Sequence, residues 1–291
     1  GMVMTCAAFV AANGQGFPNQ MSMCADVNGQ RHKVMTDQIR EMGALSVVQL
    51  YHGGSRSPED LIGETPITPN NQSLSEVQDI RMAFISAAQR AQEFGYDGVQ
   101  VHGAHGYLLA QFLSPTLNSR TDEYGGSLEN RFRLIQEILD GIRTVCGPHF
   151  LLSLRLSPER FGMELEEVLQ VADWLLQRQS VDLLDWSLWD VDKSVNGRRL
   201  MDIVSSQNRR DTRITVAGKI DSSLKCREVL ERSDAVSIGR GAILHHDFPI
   251  RAMNGTDFTA RSLPVTTEYL KNEGLSTNFV HYMNRWDGFV Q

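Results

Sequence analysis

Cysteine is scarce in this sequence, and the few cysteines do not cluster. The chain of 291 residues contains four of them, Cys6, Cys24, Cys146 and Cys226. None forms a close pair, so the spacings that are typical of zinc ribbons and iron–sulfur sites are missing. Few, scattered cysteines fit a reducing compartment. We therefore expect a cytoplasmic protein with no resident metal.

The sequence also has fewer basic than acidic residues. The net charge at pH 7 is −7, from 28 Lys and Arg residues against 35 Asp and Glu residues. The lack of a basic excess argues against a nucleic-acid partner, so a bound anion needs a local group of arginines and lysines. The apolar runs are too short to cross a bilayer, which predicts no membrane-spanning segment.

No G-x-G-x-x-G loop follows any predicted strand, which argues against an open dinucleotide-binding sheet. Short apolar runs instead alternate with longer amphipathic stretches. Helices are predicted over 74–95, 127–147, 164–179 and 221–232. The predicted strands are Met2–Ala8, Leu45–Leu50, Gly98–His102, Leu151–Leu156, Leu183–Ser187, Arg213–Ala217 and Ala235–Ile238.

The alternation of strands and helices predicts right-handed βαβ units and a parallel sheet. Roughly seven strands are one short of a complete (β/α)8 TIM barrel. No Pro-rich or Ser-rich linker divides the chain, so we expect a single α/β domain over residues 1–291 with a C-terminal helical segment at about 265–291. The long irregular stretch 52–73 is expected to be functional or disordered.

Polar residues recur near the C-terminal ends of four consecutive predicted strands. Gln49, His102 and Arg155 occupy such ends, and Asp185 and Ser187 lie on the strand that follows. In a barrel, alternate residues of each strand point inward, and active sites lie at the C-terminal strand ends. The recurrence therefore predicts a polar site at one mouth of the barrel.

The last two predicted strands end in glycine and a basic residue instead. Gly218 and Lys219 follow one strand, and Gly239 and Arg240 follow the other. Glycines let backbone amides approach a ligand closely, and the arginine fork suits a phosphate. Loops at this place in the barrel commonly bind phosphate, so we expect a ligand with a phosphate at one end.

Several stretches resemble the Old Yellow Enzyme family of FMN-dependent ene-reductases. The most specific are "VHGAHGYLLAQFLSP" and "NSRTDEYGGSLENR", which span His102 to Arg131. "QLYHGG", "LSLRLSPERFG", "LLDWSLWD", "VAG" and "SIGRGAI" follow the family in the same order. The His/His pair is closer to the bacterial branch than to the yeast-like His/Asn form.

The resemblance implies a reaction. Reduced FMN delivers hydride to the β-carbon of an activated alkene of the enone type, and NADH or NADPH reloads the flavin at the same site. His102 and His105 correspond to the pair that hydrogen-bonds the carbonyl or nitro oxygen of the substrate. Tyr107 corresponds to the proton donor, so Tyr107, His102 and His105 are the implied catalytic residues.

The resemblance also implies which residues bind the flavin. Gln49 would contact its pyrimidine edge, Arg155 its N1 and C2 carbonyl, and Ala7 its ring. Gly218, Lys219 and Gly239 would hold the phosphate through backbone amides, and Arg240 through its side chain. The implied cofactor-binding set is Ala7, Gln49, His102, Arg155, Gly218, Lys219, Gly239 and Arg240.

One departure from the family concerns the start of the sequence. The strand Met2–Ala8 is similar to the family's second strand, so the first β/α unit is expected to be missing from this chain. Such an absence would leave an open sheet edge, which favours pairing with another chain. A homo-oligomer is therefore left open, as are the physiological substrate and the choice between NADH and NADPH.

Other interpretations of the same residues stay open at this point. The chain could be a flavin-free barrel enzyme for a phosphorylated substrate, or a truncated barrel without activity. His102 and His105 could bind a metal with His52, although no carboxylate or cysteine is patterned beside them. Arg155 could be the ion-pair partner of Asp185, and Arg240 could cap a helix.

Overall fold

The structure is a computed structural model, and it describes residues 1–255 and 257–291. The chain divides into two compact units, which are Gly1–Ser187 with Gln207–Arg213, and Leu188–Ser206 with Ile214–Gln291. The prediction of one domain over residues 1–291 stays a prediction. Within the described residues, no helix combines the length and the apolar character that a membrane span requires.

The first unit contains five parallel strands that are hydrogen-bonded in chain order. Most of their residues are buried, as expected for parallel strands that run as nearly continuous apolar segments. All five predicted strands of this unit are confirmed, with end points within one residue. They are β1 (Met2–Phe9), β2 (Leu45–Tyr51), β3 (Gly98–Gly103), β4 (Leu151–Leu156) and β5 (Leu183–Ser187).

Six helices connect these strands, and local signals fix where the long ones start. The Ser73 hydroxyl accepts from the amide of Glu76, whose carboxylate accepts from the Ser73 amide, so a capping box opens α3. Ser127 caps α5 through the amide of Asn130. The helices are α1 (Gly29–Glu41), α2 (Glu59–Ile62), α3 (Leu74–Glu93), α4 (Leu108–Leu113), α5 (Leu128–Cys146) and α6 (Leu165–Arg178).

Helices α3 and α5 pack against each other along the apolar faces that their sequences predict. Both faces are buried, including Phe84 on α3 and Ile138 on α5. A Cβ at Gly141 would lie 2.2 Å from Cδ1 of Ile85, so the absence of a side chain at this glycine makes room for the end of the Ile85 side chain. Helix α3 also packs on strands β2 and β3, and helix α5 packs on β4.

Helix α1 is absent from the predictions, and its buried residues explain why. They are His32 and Thr36, which are polar and therefore give no apolar stripe. His32 Nδ1 lies 2.8 Å from the hydroxyl of Tyr96, and the Thr36 hydroxyl donates to the carbonyl of Phe94 at 2.8 Å. Helix α1 is therefore held against Phe94 and Tyr96 by hydrogen bonds, whereas α3 and α5 are held by hydrophobic contacts.

The long stretch after β2, predicted to be functional or disordered, is folded in short turns. It contains a 3-10 turn over Gly54–Arg56, the helix α2, and a second 3-10 turn over Pro69–Asn71. The amide of Leu108 donates to the carbonyl of His52 at 3.1 Å, and the amide of Ser55 donates to Gln111 Oε1 at 3.2 Å. These bonds tie the start of the stretch to α4.

The second unit contains β6 (Ser194–Val195), β7 (Arg198–Arg199) and β8 (Arg213–Ala217). The first residue of β8, Arg213, is counted with the first unit. It also contains β9 (Ala235–Val236), which is parallel to β8 and two residues shorter than predicted. Its helices are α7 (Leu200–Ser205), α8 (Ser223–Leu230), α9 (Arg240–Leu244), α10 (Phe248–Asn254), α11 (Thr267–Asn272) and α12 (Thr277–Met283).

A hairpin and a helix break in the second unit differ from the predictions. Strands β6 and β7 pair antiparallel around Asn196 and Gly197, which have φ values of 51° and 76°, and Asn-Gly is a strong hairpin signal. The C-terminal helical segment expected at about 265–291 contains two helices, which are separated at Gly274, where φ is 91°. Leu270 and Met283 of these helices pack in one small core with Phe289.

Candidate functional site

Polar side chains near the C-terminal ends of β2, β3, β4 and β5 form one hydrogen-bonded chain. Gln49 lies opposite Gln100, which lies opposite Ser153. Gln49 Nε2 donates to Gln100 Oε1 at 2.6 Å, and Gln100 Nε2 donates to Ser153 Oγ at 3.1 Å and to Asp185 Oδ2 at 3.2 Å. The side chains are buried, so each bond stabilises a group that has lost water.

Arg155 continues this polar layer one step closer to the strand ends. It lies opposite His102 on one side and opposite Asp185 on the other. Its Nε lies 3.3 Å from Asp185 Oδ2, and its Nη2 donates to Ser187 Oγ at 3.3 Å. The ion pair weighed from the sequence is therefore present. Nevertheless, the buried Nε has no hydrogen bond of good geometry within the described residues.

His102 is a neutral imidazole whose ring proton can be placed on one nitrogen. The side chain is 3% exposed, and the amide of Ala104 donates to its Nδ1 at 3.3 Å. Because Nδ1 accepts, the proton of the neutral ring belongs on Nε2. Burial, assisted by the nearby His105 and Arg155, holds the pKa of His102 well below its ordinary value. Nε2–H is therefore the group that His102 can donate.

His105 is neutral as well, and one of its ring nitrogens is hydrogen-bonded to Ser187. Burial, followed by the charges of Arg155, Arg56 and Arg160, lowers the pKa of His105 to about 3. Its Nε2 lies 2.7 Å from Ser187 Oγ. The same oxygen accepts from Arg155 Nη2 at 3.3 Å. When the Ser187 hydroxyl donates to Nε2, the ring proton of the neutral imidazole is on Nδ1.

Tyr107 completes a cluster of rings around the histidine pair. Its ring centroid lies 5.1 Å from that of His102, 6.3 Å from that of His105 and 4.6 Å from that of Tyr51. The two histidine rings are 5.0 Å apart. The Tyr107 hydroxyl has no hydrogen-bond partner among the residues that the structure describes. Two imidazole N–H groups and one phenol O–H are thus brought together.

Ala7 lies beside Gln49 on the neighbouring strand. The two residues are in register between β1 and β2, just after an irregularity between Met4 and Ala7. The Ala7 carbonyl accepts from Gln20 Nε2 at 2.8 Å, which fixes the strand at this point. The structure therefore places Ala7 at the edge of the polar layer that contains Gln49.

His52 has a structural role that accounts for both of its ring nitrogens. Its Nδ1 accepts from the amide of Gly54 at 3.1 Å, and its Nε2 lies 3.1 Å from Asn13 Oδ1. Burial lowers the pKa of His52 to about 4, so the ring is neutral. These bonds explain the residue without a metal shared with the histidine pair.

The predicted phosphate residues lie in the second unit. A Cβ at Gly218 would come within 3.0 Å of the Asp190 amide nitrogen, whereas a Cβ at Gly239 would meet nothing within 4 Å. Lys219 has a φ of 50°, and its Nζ pairs with Asp190 at 2.8 Å. Gly239 and Arg240 are exposed where α9 begins.

One cluster in the second unit has the residue types of a metal site. His245, Asp247 and Glu273 form the single such group in residues 1–255 and 257–291, with ligand atoms within 4.8 Å of one another. His245 Nε2 already accepts from the Arg261 amide at 2.9 Å, and Asp247 pairs with Arg251 at 2.7 Å. Internal bonds therefore account for the cluster.

Several residues with contacts in the site were not assigned a site role from the sequence. Asp185 and Ser187 were noted on the last of the four polar-ended strands, and Gln100 lies on β3 two residues before His102. Their alternation with buried apolar residues is the signal that could have added all three. Arg56 and Phe161 come from loops: Phe161 lies 6.3 Å from the His105 ring, and Arg56 lies 5.1 Å from the Tyr107 ring. No periodic signal marks these two contacts.

Known proteins of the same architecture cover nearly all of the chain. Morphinone reductase in complex with tetrahydroNAD is 25% identical with a TM-score of 0.78, over 92% of this chain and 81% of that chain. The old yellow enzyme homologue from Zymomonas mobilis is 24% identical with a TM-score of 0.78, over 92% and 82%. The predicted α/β class and the (β/α)8 TIM barrel are thereby confirmed.

Sequence relatives agree with the architecture. A probable NADH-dependent flavin oxidoreductase of Bacillus subtilis is 33% identical over 88% of this chain and 76% of its own length. An NADPH dehydrogenase of Bacillus pumilus is 30% identical over 86% of this chain and 78% of its own length. The sequence pattern of the NADH:flavin oxidoreductase / NADH oxidase family matches residues 1–257. The chain therefore belongs to this family, that of Old Yellow Enzyme, and is an NAD(P)H-dependent flavin oxidoreductase with FMN as its cofactor.

Proposed function

We propose that this oxidoreductase is an ene-reductase that adds hydrogen across the activated double bond of an enone. The observation that carries the proposal is the grouping of two neutral imidazoles and one phenol without a hydrogen-bond partner among the described residues, with ring centroids 5.0, 5.1 and 6.3 Å apart. FMN supplies the hydride for the β-carbon when it is bound. The chain's own residues then have to hold the carbonyl oxygen and deliver a proton.

The histidine pair is suited to bind the carbonyl oxygen. His102 offers Nε2–H and His105 offers Nδ1–H, and both rings stay neutral because their pKa values are low. Negative charge builds on the carbonyl oxygen as the β-carbon accepts hydride, and fixed donors stabilise that charge. A neutral imidazole keeps its one N–H throughout the ordinary pH range. The histidine pair can therefore donate two hydrogen bonds to the carbonyl oxygen at any such pH.

Tyr107 is suited to give the proton to the α-carbon. Its hydroxyl has no partner within the described residues, so the proton is not committed to another group. A positioned phenol is an established type of general acid. The tyrosinate that forms regains its proton from solvent, which closes the cycle.

The polar atoms of the first unit fit the polar edge of a flavin. The buried Nε of Arg155 lacks a well-aligned acceptor, and the Gln49 oxygen accepts no hydrogen bond from the described residues. Gln49 would bind the pyrimidine edge of FMN, Arg155 would bind N1 and the C2 carbonyl, and Ala7 would touch the ring. His102 would border the same group.

The residues of the second unit are proposed for the phosphate group of FMN. The backbone amides of Gly218, Lys219 and Gly239 can donate to phosphate oxygens, and the exposed Arg240 can add a bidentate fork. Glycine at 239 leaves its surroundings open, because a Cβ there would meet no atom within 4 Å. This open backbone suits close contact with an anion.

The test separates the two half-reactions. The FMN-loaded protein is reduced anaerobically with NADH or NADPH, and 2-cyclohexenone is then added without oxygen. We expect the flavin absorbance to return as cyclohexanone forms in a one-to-one ratio. A reduced enzyme that is reoxidised by oxygen but not by the enone would contradict the proposal and leave only an NAD(P)H:flavin oxidoreductase.

Two further expectations accompany this proposal. All four cysteines are free, including the exposed Cys6, and this supports the proposed cytoplasmic location. A homo-oligomer stays open, and the mass of the protein in solution at two concentrations would decide it.

A further inference from the structure

Arg56 reaches the site from the 3-10 turn that follows β2. Its Nη1 donates to the His105 carbonyl at 2.7 Å, and its Cζ lies 5.1 Å from the ring centroid of Tyr107. The same Cζ lies 5.9 Å from the ring centroid of Phe161. One guanidinium thus contacts the turn of one oxygen-binding histidine and the ring of the proton donor.

The charge of Arg56 is not neutralised by a carboxylate among the residues that the structure describes. Other arginines of the first unit do have a carboxylate partner. Arg131 pairs with Glu167 at 2.6 Å, and Arg155 lies 3.3 Å from Asp185. Arg56 uses one N–H on a carbonyl and keeps an exposed side chain. Its remaining N–H groups are available to a ligand.

A second arginine lies on the other side of Phe161. The Cζ of Arg160 is 5.4 Å from the Phe161 ring centroid, and Arg160, Phe161 and Gly162 all have positive φ, at 77°, 54° and 76°. Ser114 Oγ donates to the Gly162 carbonyl at 2.7 Å and anchors this turn. The charges of Arg155, Arg56 and Arg160 all act on His105 and help to lower its pKa.

We propose that Arg56 is a specificity-determining residue that selects activated alkenes carrying a carboxylate, with Arg160 adding to the positive charge. The inference rests on the proposed ene-reductase function and names its substrate class. A guanidinium can bind a carboxylate through two parallel N–H groups. The charge of Arg56, which no described carboxylate neutralises, attracts an anionic substrate but not a neutral enone.

The test compares one acid with its own ester. The substrates are trans-4-oxo-2-pentenoic acid and its methyl ester, which share the reacting enone and differ in charge. The enzymes are the FMN-loaded wild type, Arg56→Gln, Arg56→Lys and the matched control Arg31→Gln, which removes an exposed arginine from α1. The measured quantity is the ratio of kcat/KM for the acid to kcat/KM for the ester.

We expect Arg56→Gln to lower this ratio about tenfold, which corresponds to about 1.4 kcal/mol, mainly through a higher KM for the acid. Arg56→Lys should keep most of the ratio, and Arg31→Gln should leave it unchanged. The ratio in the wild type should fall as salt is added, because exposed charges are screened. Using a ratio removes any general effect of Arg56 on the His105 turn.

Three outcomes would overturn the inference. A ratio that changes by less than twofold in Arg56→Gln would mean that Arg56 only holds the turn. Anaerobic flavin reduction that slows with NADPH but not NADH, while the ratio is constant, would mean that Arg56 binds a reductant phosphate. A wild type that reduces neither acid nor ester would overturn the proposed ene-reductase function, and the inference with it.

Discussion

The Arg155 guanidinium and the Asp185 carboxylate lie side by side without a well-aligned hydrogen bond between the closest atoms. Nε and Oδ2 are 3.3 Å apart, and Nε still has no partner of good geometry in the described part of the chain. Asp185 is fully buried, whereas the Arg155 side chain is 20% exposed. The pair therefore neutralises charge while it keeps one N–H for a ligand.

The first prediction concerns the stability that this pair provides. Asp185→Asn should lower the free energy of unfolding by about 1–3 kcal/mol, because it leaves a guanidinium without its counter-charge. We expect less than the cost of breaking a fully buried pair, since water reaches Arg155. Urea unfolding measures the change. Asp211→Asn, an exposed partner of Gln179, is the control and should stay within about 0.5 kcal/mol of the wild type.

The second prediction concerns the proton donor. Tyr107→Phe should slow alkene reduction by about 10²–10⁴-fold, the usual contribution of a general acid. FMN should stay bound, and its reduction by NADH or NADPH should be nearly unchanged. Stopped-flow absorbance measures the two half-reactions separately. Tyr96→Phe removes a hydroxyl that contacts His32 and should spare both. Equal losses in both half-reactions of Tyr107→Phe would show that the hydroxyl is not the proton donor.

The third prediction concerns the pH dependence of stability. The pKa of His105 falls from 6.5 to about 3 on folding, so between these values the unfolded chain binds more protons than the folded chain. Stability therefore falls as pH drops below 6.5, by roughly 1 kcal/mol per pH unit for this residue, and is insensitive to it above 6.5.

The variant His105→Asn isolates that effect. It should flatten the decrease in unfolding free energy between pH 6.5 and 5 by the amount that His105 contributes. His149→Asn, which changes an exposed histidine, should leave the slope as it is. A His105→Asn protein with the slope of the wild type would mean that His105 is not held neutral.

The fourth prediction concerns the phosphate residues of the second unit. Arg240→Ala should release FMN during desalting, because the proposed bidentate contact between Arg240 and the phosphate would be lost. Arg251→Ala removes an arginine of the same unit that pairs with Asp247 and should keep its flavin. The flavin-to-protein absorbance ratio after desalting measures both. A fully yellow Arg240→Ala protein would refute the phosphate assignment.

The strands of this protein were predictable because their apolar runs are short and bounded. Leu151–Leu156, Leu183–Ser187 and Arg213–Ala217 have the predicted end points. Strand β9 is shorter, since only Ala235 and Val236 of the apolar run pair with β8. Helix α1 could not be found from apolar periodicity, because polar residues form its buried face.

In the candidate site, the placement of residues on the sheet could be predicted from the sequence, whereas the placement of residues on loops could not. Strand alternation brings Gln49 and Arg155 to the strand ends, so a two-residue period is enough to group them. Arg56 meets Tyr107 through a turn held by bonds to α4. Such a contact depends on how a loop folds back, and no local spacing encodes it.

The buried carboxylate of Asp185 determines which end of the Gln49 amide faces outward. Both hydrogens of Gln100 Nε2 are committed, to Ser153 and to Asp185, so Gln100 can turn only its oxygen toward Gln49. Gln49 therefore donates through its Nε2, and its Oε1 takes no part in the chain of hydrogen bonds. The negative charge on β5 thus fixes the direction of every hydrogen bond in this chain. As a result, Gln49 on β2 presents an acceptor to a ligand N–H, whereas an isolated glutamine could present either its oxygen or its nitrogen.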